Sequence, residues 1–190
     1  MMALMTAFQL IQSIYWLALA TWFGAVLFIA IAAPVIFRSV REANPTLPDV
    51  RSDRLAGEHG SLLAGTIVGN ILRTLGTVQL VCAGLVLVAL VGQWLKLDLG
   101  SPRNVGHALI RSAMYVAAVV LVGYDRWLVW PRAWKFRQEY IDHADEPEIA
   151  DAARERFDRY HRESVRVLAI ELAALSLMIV FSSWITPAVL

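Results

Sequence analysis

The sequence predicts an all-α membrane protein, an antiparallel bundle of four transmembrane helices whose fourth helix extends into the cytoplasm. Three observations carry this. Four apolar runs each reach the roughly 20 residues that a helix needs to cross a bilayer core. The 190-residue chain is 58% hydrophobic with a mean hydropathy of +0.56, more apolar than a soluble domain can cover with its polar remainder. The basic residues gather in alternate connections, as the positive-inside rule requires.

The first run, about residues 8–37, has no basic residue before it and is longer than the apolar core of a secretory signal, so it is expected to be a retained anchor. Pro34 lies near its exit. The second run, about residues 72–94, ends at Trp94, and Ser61 to Asn70 before it is helix-compatible. Gly65 and Gly69 there form a small-xxx-small pair suited to close helix approach, a spacing that chance glycines also produce. The third run, about residues 105–130, closes with Trp127, Trp130 and Pro131; the fourth, about residues 165–186, with Trp184 and Pro187. Tryptophans at such ends match an interfacial belt. Before the fourth run, Asp145 or Glu146 can cap a helix whose first turn holds Pro147. The acid-first pairs Glu155–Arg159 and Asp158–Arg162 support a charged helical extension over about residues 147–164. One domain accounts for residues 1–190.

Arg38, Arg41, Arg51 and Arg54 follow the first run. Arg126, Arg132, Lys135, Arg137, Arg154, Arg156, Arg159, Arg162 and Arg166 follow or flank the third, whereas the second connection offers only Lys96 and Arg103. The first and third connections are therefore expected in the cytoplasm, with both termini outside it, in a bacterial inner membrane. A formal net charge of +1 implies no nucleic-acid partner. The only cysteine, Cys82, lies in an apolar run and reads as packing.

Ionisable residues inside a membrane helix are expensive and mark sites. At 100° per residue, His107, Arg111, Met114, Ala118 and Asp125 share one face of the third helix. Thr66, Asn70, Arg73 and Thr77 share one face of the second, with Gln79 pointing elsewhere. Phe157, His161, Ser164, Leu168, Glu171 and Leu175 line the fourth, opposite Arg159, Arg162, Glu163 and Arg166. Depth along the helices puts Asn70, Arg73, Asp125, His161, Ser164 and Glu171 near the cytoplasmic boundary, with Arg73 the natural partner of Glu171. That cluster suits a site for a solute, a metal ion or a proton, and equally a structural ion pair that fixes packing or the surroundings of a cofactor. On the outer side His107 and Arg111 have Gln12 and Tyr15 for company, unless Arg111 snorkels outward.

Phe157, Asp158, Arg159, Tyr160, His161, Arg162, Glu163 and Ser164 resemble the F-x-x-[LY]-H-x-x-S signature that opens the last helix of a bacterial membrane family of unknown function, similar to vertebrate transmembrane protein 205. Trp22, Phe23 and Gly24, then Ala33, Pro34, Val35, Ile36 and Phe37, resemble that family's W-x-G and A-P-x-x-F. The chain has Tyr160 where leucine is usual, and Val165, Arg166 and Val167 where an asparagine often follows. The resemblance implies four spans and the handling of metals or small toxic solutes, since the vertebrate member is associated with resistance to platinum drugs. The family-motif residues are Gly24, Pro34, Phe37, Phe157, His161 and Ser164, of which Gly24 and Pro34 are expected to shape the helix rather than bind.

Two other classes fit the pattern. A non-catalytic scaffold or subunit would recruit a cytoplasmic protein, or form a homo-oligomer, through the charged helix of about residues 148–163. A haem-binding bundle would need facing histidines within the membrane, and His59 and His161 fall on one side while His107 falls on the other. No nucleotide loop, nucleophile triad or H-E-x-x-H motif is present, Glu58–His59 being a lone dipeptide. An enzyme is not expected and no cofactor is assigned.

Overall fold

A computed structural model describes residues 2–47, 52–55, 57–95 and 101–184, the side chains of residues 2–8 and 53 excepted; Arg51, Lys96 and Pro187, used above, lie outside the described residues. The chain is helical, with no strand among the described residues. Helix α1 runs Met2–Glu42, a 3₁₀ turn Asp53–Leu55, α2 His59–Trp94, α3 Pro102–Tyr124, a π-helical turn Asp125–Val129, α4 Trp130–Asp142 and α5 Pro147–Ser183. Four helical stretches, counting α3 to α4 as one, are long and apolar enough to cross a membrane. They are compatible with an integral membrane protein. Large apolar side chains stand fully outward along them, among them Leu17 at 70%, Val88 at 71% and Val120 at 62% exposure. Water does not tolerate such continuous apolar surface, whereas lipid does.

The helices are longer than the apolar runs. Helix α1 passes through Pro34 and continues to Glu42. Pro147 opens α5, as the sequence suggests. The third run does not stop at Pro131. Trp130 donates its backbone N–H to the Asp125 carbonyl, five residues back, which is the widened register of a π turn. Pro131 has no N–H to give, and its ring would crowd the carbonyl four residues earlier in a regular helix; the wide turn relieves both demands and lets the chain resume as α4.

Segments of all the long helices contribute to each of two compact units. The first comprises Met1–Val26, Thr77–Val122 and Leu168–Leu190; the second comprises Leu27–Gly76 and Gly123–Val167. The core of the first is Tyr15, Leu19, Trp22, Val26, Val86, Tyr115, Leu175 and Met178, with alanines and Cys82 filling between them. Alanine and glycine at these positions let the backbones approach, the way helices pack where lipid removes the hydrophobic drive. In one instance Gly92 accepts Ile11 so closely that an added Cβ would lie 3.1 Å from its Cδ1.

The second unit has a smaller core of Leu55, Leu62, Tyr140, Ala144, Ala150 and Ala153. Here α2 turns its glycines toward α4. A Cβ on Gly69 would sit 3.1 Å from the Trp134 ring and 3.3 Å from Trp130, and one on Gly76 would lie 2.5 Å from a terminal nitrogen of Arg126. The Gly65–Gly69 spacing is thus a seat for large side chains, not a chance pair. Arg137 Nη2 donates to the Leu62 carbonyl at 2.7 Å and to Thr66 Oγ1 at 2.9 Å, over the Trp134 ring at 5.0 Å.

Polar contacts pin the α1–α2 connection onto α4 and α5. Leu47 N–H donates to His59 Nδ1 at 2.7 Å, and Ser52 to Asp145 at 2.6 Å. Arg54 pairs with Asp151 and Arg154 with Glu58, each at 2.7 Å. Asp151 and Arg154 of α5 thus pair with another segment, and among the described residues Glu155–Arg159 and Asp158–Arg162 are not ion pairs.

Candidate functional site

The strongest concentration of buried polar chemistry lies in the first unit, around Glu171. Its position in α5 follows from period: Leu168, Glu171, Leu175 and Met178 recur at three and four residues and face inward, so the carboxyl shares the core's face of the helix. Glu171 is 1% exposed. Its Oε1 accepts from Trp22 Nε1 at 2.7 Å and from Gln79 Nε2 at 2.9 Å. These two donors are neutral, and both project from apolar stretches of α1 and α2. Trp22 is itself fully buried and meets Tyr115 edge-on at 6.4 Å, while Tyr115 donates to the Ala83 carbonyl at 3.0 Å. The indole therefore cannot swing away from the carboxyl without opening the core. Gln79 corrects the sequence expectation: it is buried and belongs to the site.

A second polar group in the same unit surrounds Tyr15. Its hydroxyl and that of Ser182 share a hydrogen bond of 2.5 Å, and Ser182 donates to the Met178 carbonyl at 2.5 Å. Arg111 stands 5.3 Å from the Tyr15 ring centroid and is hydrogen-bonded to Tyr15. It is 3% exposed, so it does not snorkel. Gln12 turns instead to Gln93, whose amide donates to it at 2.7 Å. His107 is ringed by Phe181 at 5.9 Å and Trp184 at 5.7 Å.

In the second unit, half-buried Asp125 is hydrogen-bonded to Ser164, which is buried; its Oδ1 has no partner. Tyr124 donates to Glu163. His161 stacks on Phe157 at 5.7 Å but is exposed, not part of the inward stripe. Asn70 and Arg73 are likewise exposed. Asn70, Arg73 and Thr77 of the α2 stripe turn outward, while Thr66 is half-buried against Arg137. Helical threonines satisfy themselves, Thr66 on the Leu62 carbonyl and Thr74 on the Asn70 carbonyl, and the inward side of α2 is given to glycine. Of the six expected inner residues, Asn70, Arg73, Asp125, His161 and Ser164 thus belong to the second unit, with Asp125 and Ser164 brought together, while Glu171 belongs to the first.

Among the family-motif positions, Gly24 is exposed with open space around its Cα, Pro34 is exposed inside α1, and Phe37 lies against Gly65. Among the described residues no group of three or more His, Cys, Asp or Glu could hold a metal ion. No family model, curated protein or solved structure matches this chain.

Trp22, Gln79 and Ser182 are the buried polar partners hardest to find from sequence. Their signal was present in a weak form: a tryptophan in mid-run instead of at a belt, and a lone amide on the same helical face as Cys82 and Val86.

Proposed function

We propose that the chain is an integral membrane protein that handles a small solute or ion, with Glu171 as its ionisable centre. In this reading four helices cross the membrane antiparallel, both termini lie outside the cytoplasm, and α4 with the first turns of α5 forms the cytoplasmic extension. The basic residues of the first and third connections support that orientation. The likeness to the transmembrane-protein-205 group supports a toxic solute or metal complex as cargo, in a bacterial inner membrane.

One observation carries the reading: a carboxyl group at 1% exposure in an apolar helix, met by an indole and an amide that are both neutral donors. Apolar packing alone has no use for such a group, and its free energy cost in hydrocarbon is several kcal/mol, on the order of 2.5–3.5 by insertion scales. A carboxyl met by neutral donors can take up and release a proton without breaking an ion pair to either of them.

The test uses purified protein in liposomes that enclose a pH-sensitive dye, challenged in turn with a divalent metal salt and with a platinum(II) ammine complex. Solute-driven proton movement is expected from the wild type and should vanish in E171Q, which keeps a carbonyl oxygen to accept from Trp22 and Gln79. Unchanged movement in a folded E171Q would overturn the reading.

The scaffold reading has its own supporting observation in the outward face of α5, where Glu148, Glu155, Arg156, Arg159 and Arg162 are exposed. Glu58 and Arg54, however, engage Arg154 and Asp151 of that helix within the chain, which spends part of its charge internally.

A further inference from the structure

Arg111 is a cation without a counter-charge. It is 3% exposed in a membrane-length helix, and among the described residues no carboxylate pairs with it. Its partner is Tyr15, and the proton inventory around Tyr15 shows that the phenol is neutral. Ser182 gives its proton to the Met178 carbonyl, so the hydrogen between Ser182 and Tyr15 belongs to the tyrosine. The chain of donors runs Arg111 to Tyr15 to Ser182 to a backbone carbonyl. It satisfies hydrogen bonds and delivers no negative charge.

Two buried nitrogens beside this chain have no partner. One is Arg111 Nε, whose N–H cannot be removed by deprotonation at ordinary pH; the other is His107 Nδ1, one helical turn earlier on the same face of α3. An isolated ammonium or guanidinium in a low-dielectric setting is far costlier than any neutral polar group. Arg111 thus presents one unused N–H, and His107 Nδ1 adds a second donor in the tautomer that carries its proton there.

We infer that Arg111, with His107 beside it and Tyr15 fixing the guanidinium plane, binds a small monovalent inorganic anion such as chloride within the first unit. The guanidinium carbon stands over the Tyr15 ring at 5.3 Å from its centroid, and Nε is the nitrogen that no protein group uses. Arg111 Nε is itself buried, which strengthens a charge–charge contact there, and Phe181 and Trp184 pack beside His107. This site is separate in residues and in charge from the Glu171 site and goes beyond the solute reading above.

The test is thermal unfolding of the full chain in detergent as sodium gluconate is replaced by sodium chloride at constant ionic strength. Gluconate is too large and too hydrated to enter a buried site. The wild type is expected to gain a saturable rise in Tm of about 3 °C or more. R111Q should lose that dependence and R111K should keep part of it. Because R111Q removes a packed side chain and could fail to fold, crystals of the wild type grown in bromide provide a second measurement, with an anomalous peak expected within hydrogen-bond reach of Arg111. A wild-type Tm indifferent to the exchange, an unaltered chloride response in R111Q, or bromide crystals with no peak at Arg111 would each overturn the inference. E171Q separates the two sites: its chloride response should equal the wild type's whether or not solute-driven proton movement is lost.

Discussion

A single carboxyl and its two donors organise the first unit. Trp22 and Gln79 hold one oxygen of Glu171, so removing either N–H leaves the acid under-solvated in a place where no water replaces it. W22F keeps the ring volume roughly but deletes the donor, and it is expected to cost about 0.6–2 kcal/mol of stability, the range seen for hydrogen bonds between membrane helices. Thermal unfolding in detergent, compared with Y115F as a variant that alters a different hydrogen bond, checks it. His143, outside the apolar helices, is half-exposed. Its hydrogen bond to Glu146 at 3.0 Å, aided by the surrounding carboxylates, raises its pKa above the ordinary histidine value of about 6.5. The charged imidazole is thus favoured in the folded chain, so the stability it adds is fully present below the unfolded-state pKa and is lost as pH rises through the higher folded one. Histidine resonances followed against pH should show His143 titrating late, and E146Q should bring it back toward the ordinary value; an unchanged titration in E146Q would sink the pairing. The residues legible in the sequence were those whose charge announces them, Arg111 and Glu171. Trp22 and Gln79 were not, because a neutral amide or indole in an apolar run has no signature until a carboxyl on another helix is placed against it.

Elements obeyed their periodicity better than their punctuation. Apolar runs located all four membrane-length helices, and Pro147 with the acids around it located the start of α5. Pro131 misled, because a proline inside a helix usually ends it and the π turn that accommodates one here leaves no trace in composition. Polar stripes misled on α2 for a related reason: a threonine that bonds its own helix, as exposed Thr74 does, can face outward, so a polar face is not by itself an inner face. The glycines gave the better signal. Trp134 lies where a Cβ on Gly69 would be 3.1 Å away, and Trp130 stacks against Trp134 at 5.8 Å, so neither ring can retreat alone. G69L is expected to cost about 1–3 kcal/mol by overpacking, whereas G24L, at a position with open space around it, should leave Tm nearly unchanged. Equal effects of the two on thermal unfolding would mean that α2 and α4 do not meet at Gly69. The connection between α1 and α2 can be tested in the same spirit. R154A removes the ion pair with Glu58, a half-exposed contact worth at most about 1 kcal/mol, so the expected change is local: faster proteolytic cutting within residues 44–58 at nearly constant Tm.

For the whole molecule the question is which ends face which side of the membrane, and the arithmetic of charge gives an answer that a labelling experiment can refute. Each unit draws on several separated stretches of chain, so neither is a free-standing domain in sequence. Insertion itself reads the flanking arginines and lysines, which crowd the first and third connections and nearly spare the second. The single native cysteine assists the measurement. Cys82 is buried at 5% exposure in mid-helix, where a membrane-impermeant maleimide cannot reach it, and C82A gives a thiol-free background at small packing cost. New cysteines are then best placed at Leu95, which is 80% exposed at the end of α2, and at Glu148, exposed in the first turn of α5. In intact cells with a permeabilised outer envelope, L95C should react with the impermeant reagent and E148C should react only after the membrane is lysed. The reverse pattern would invert the topology and move the Arg111 site to the cytoplasmic side. Labelling of both in intact membranes would mean that one of the four apolar helices does not cross, a result that no adjustment of orientation could absorb.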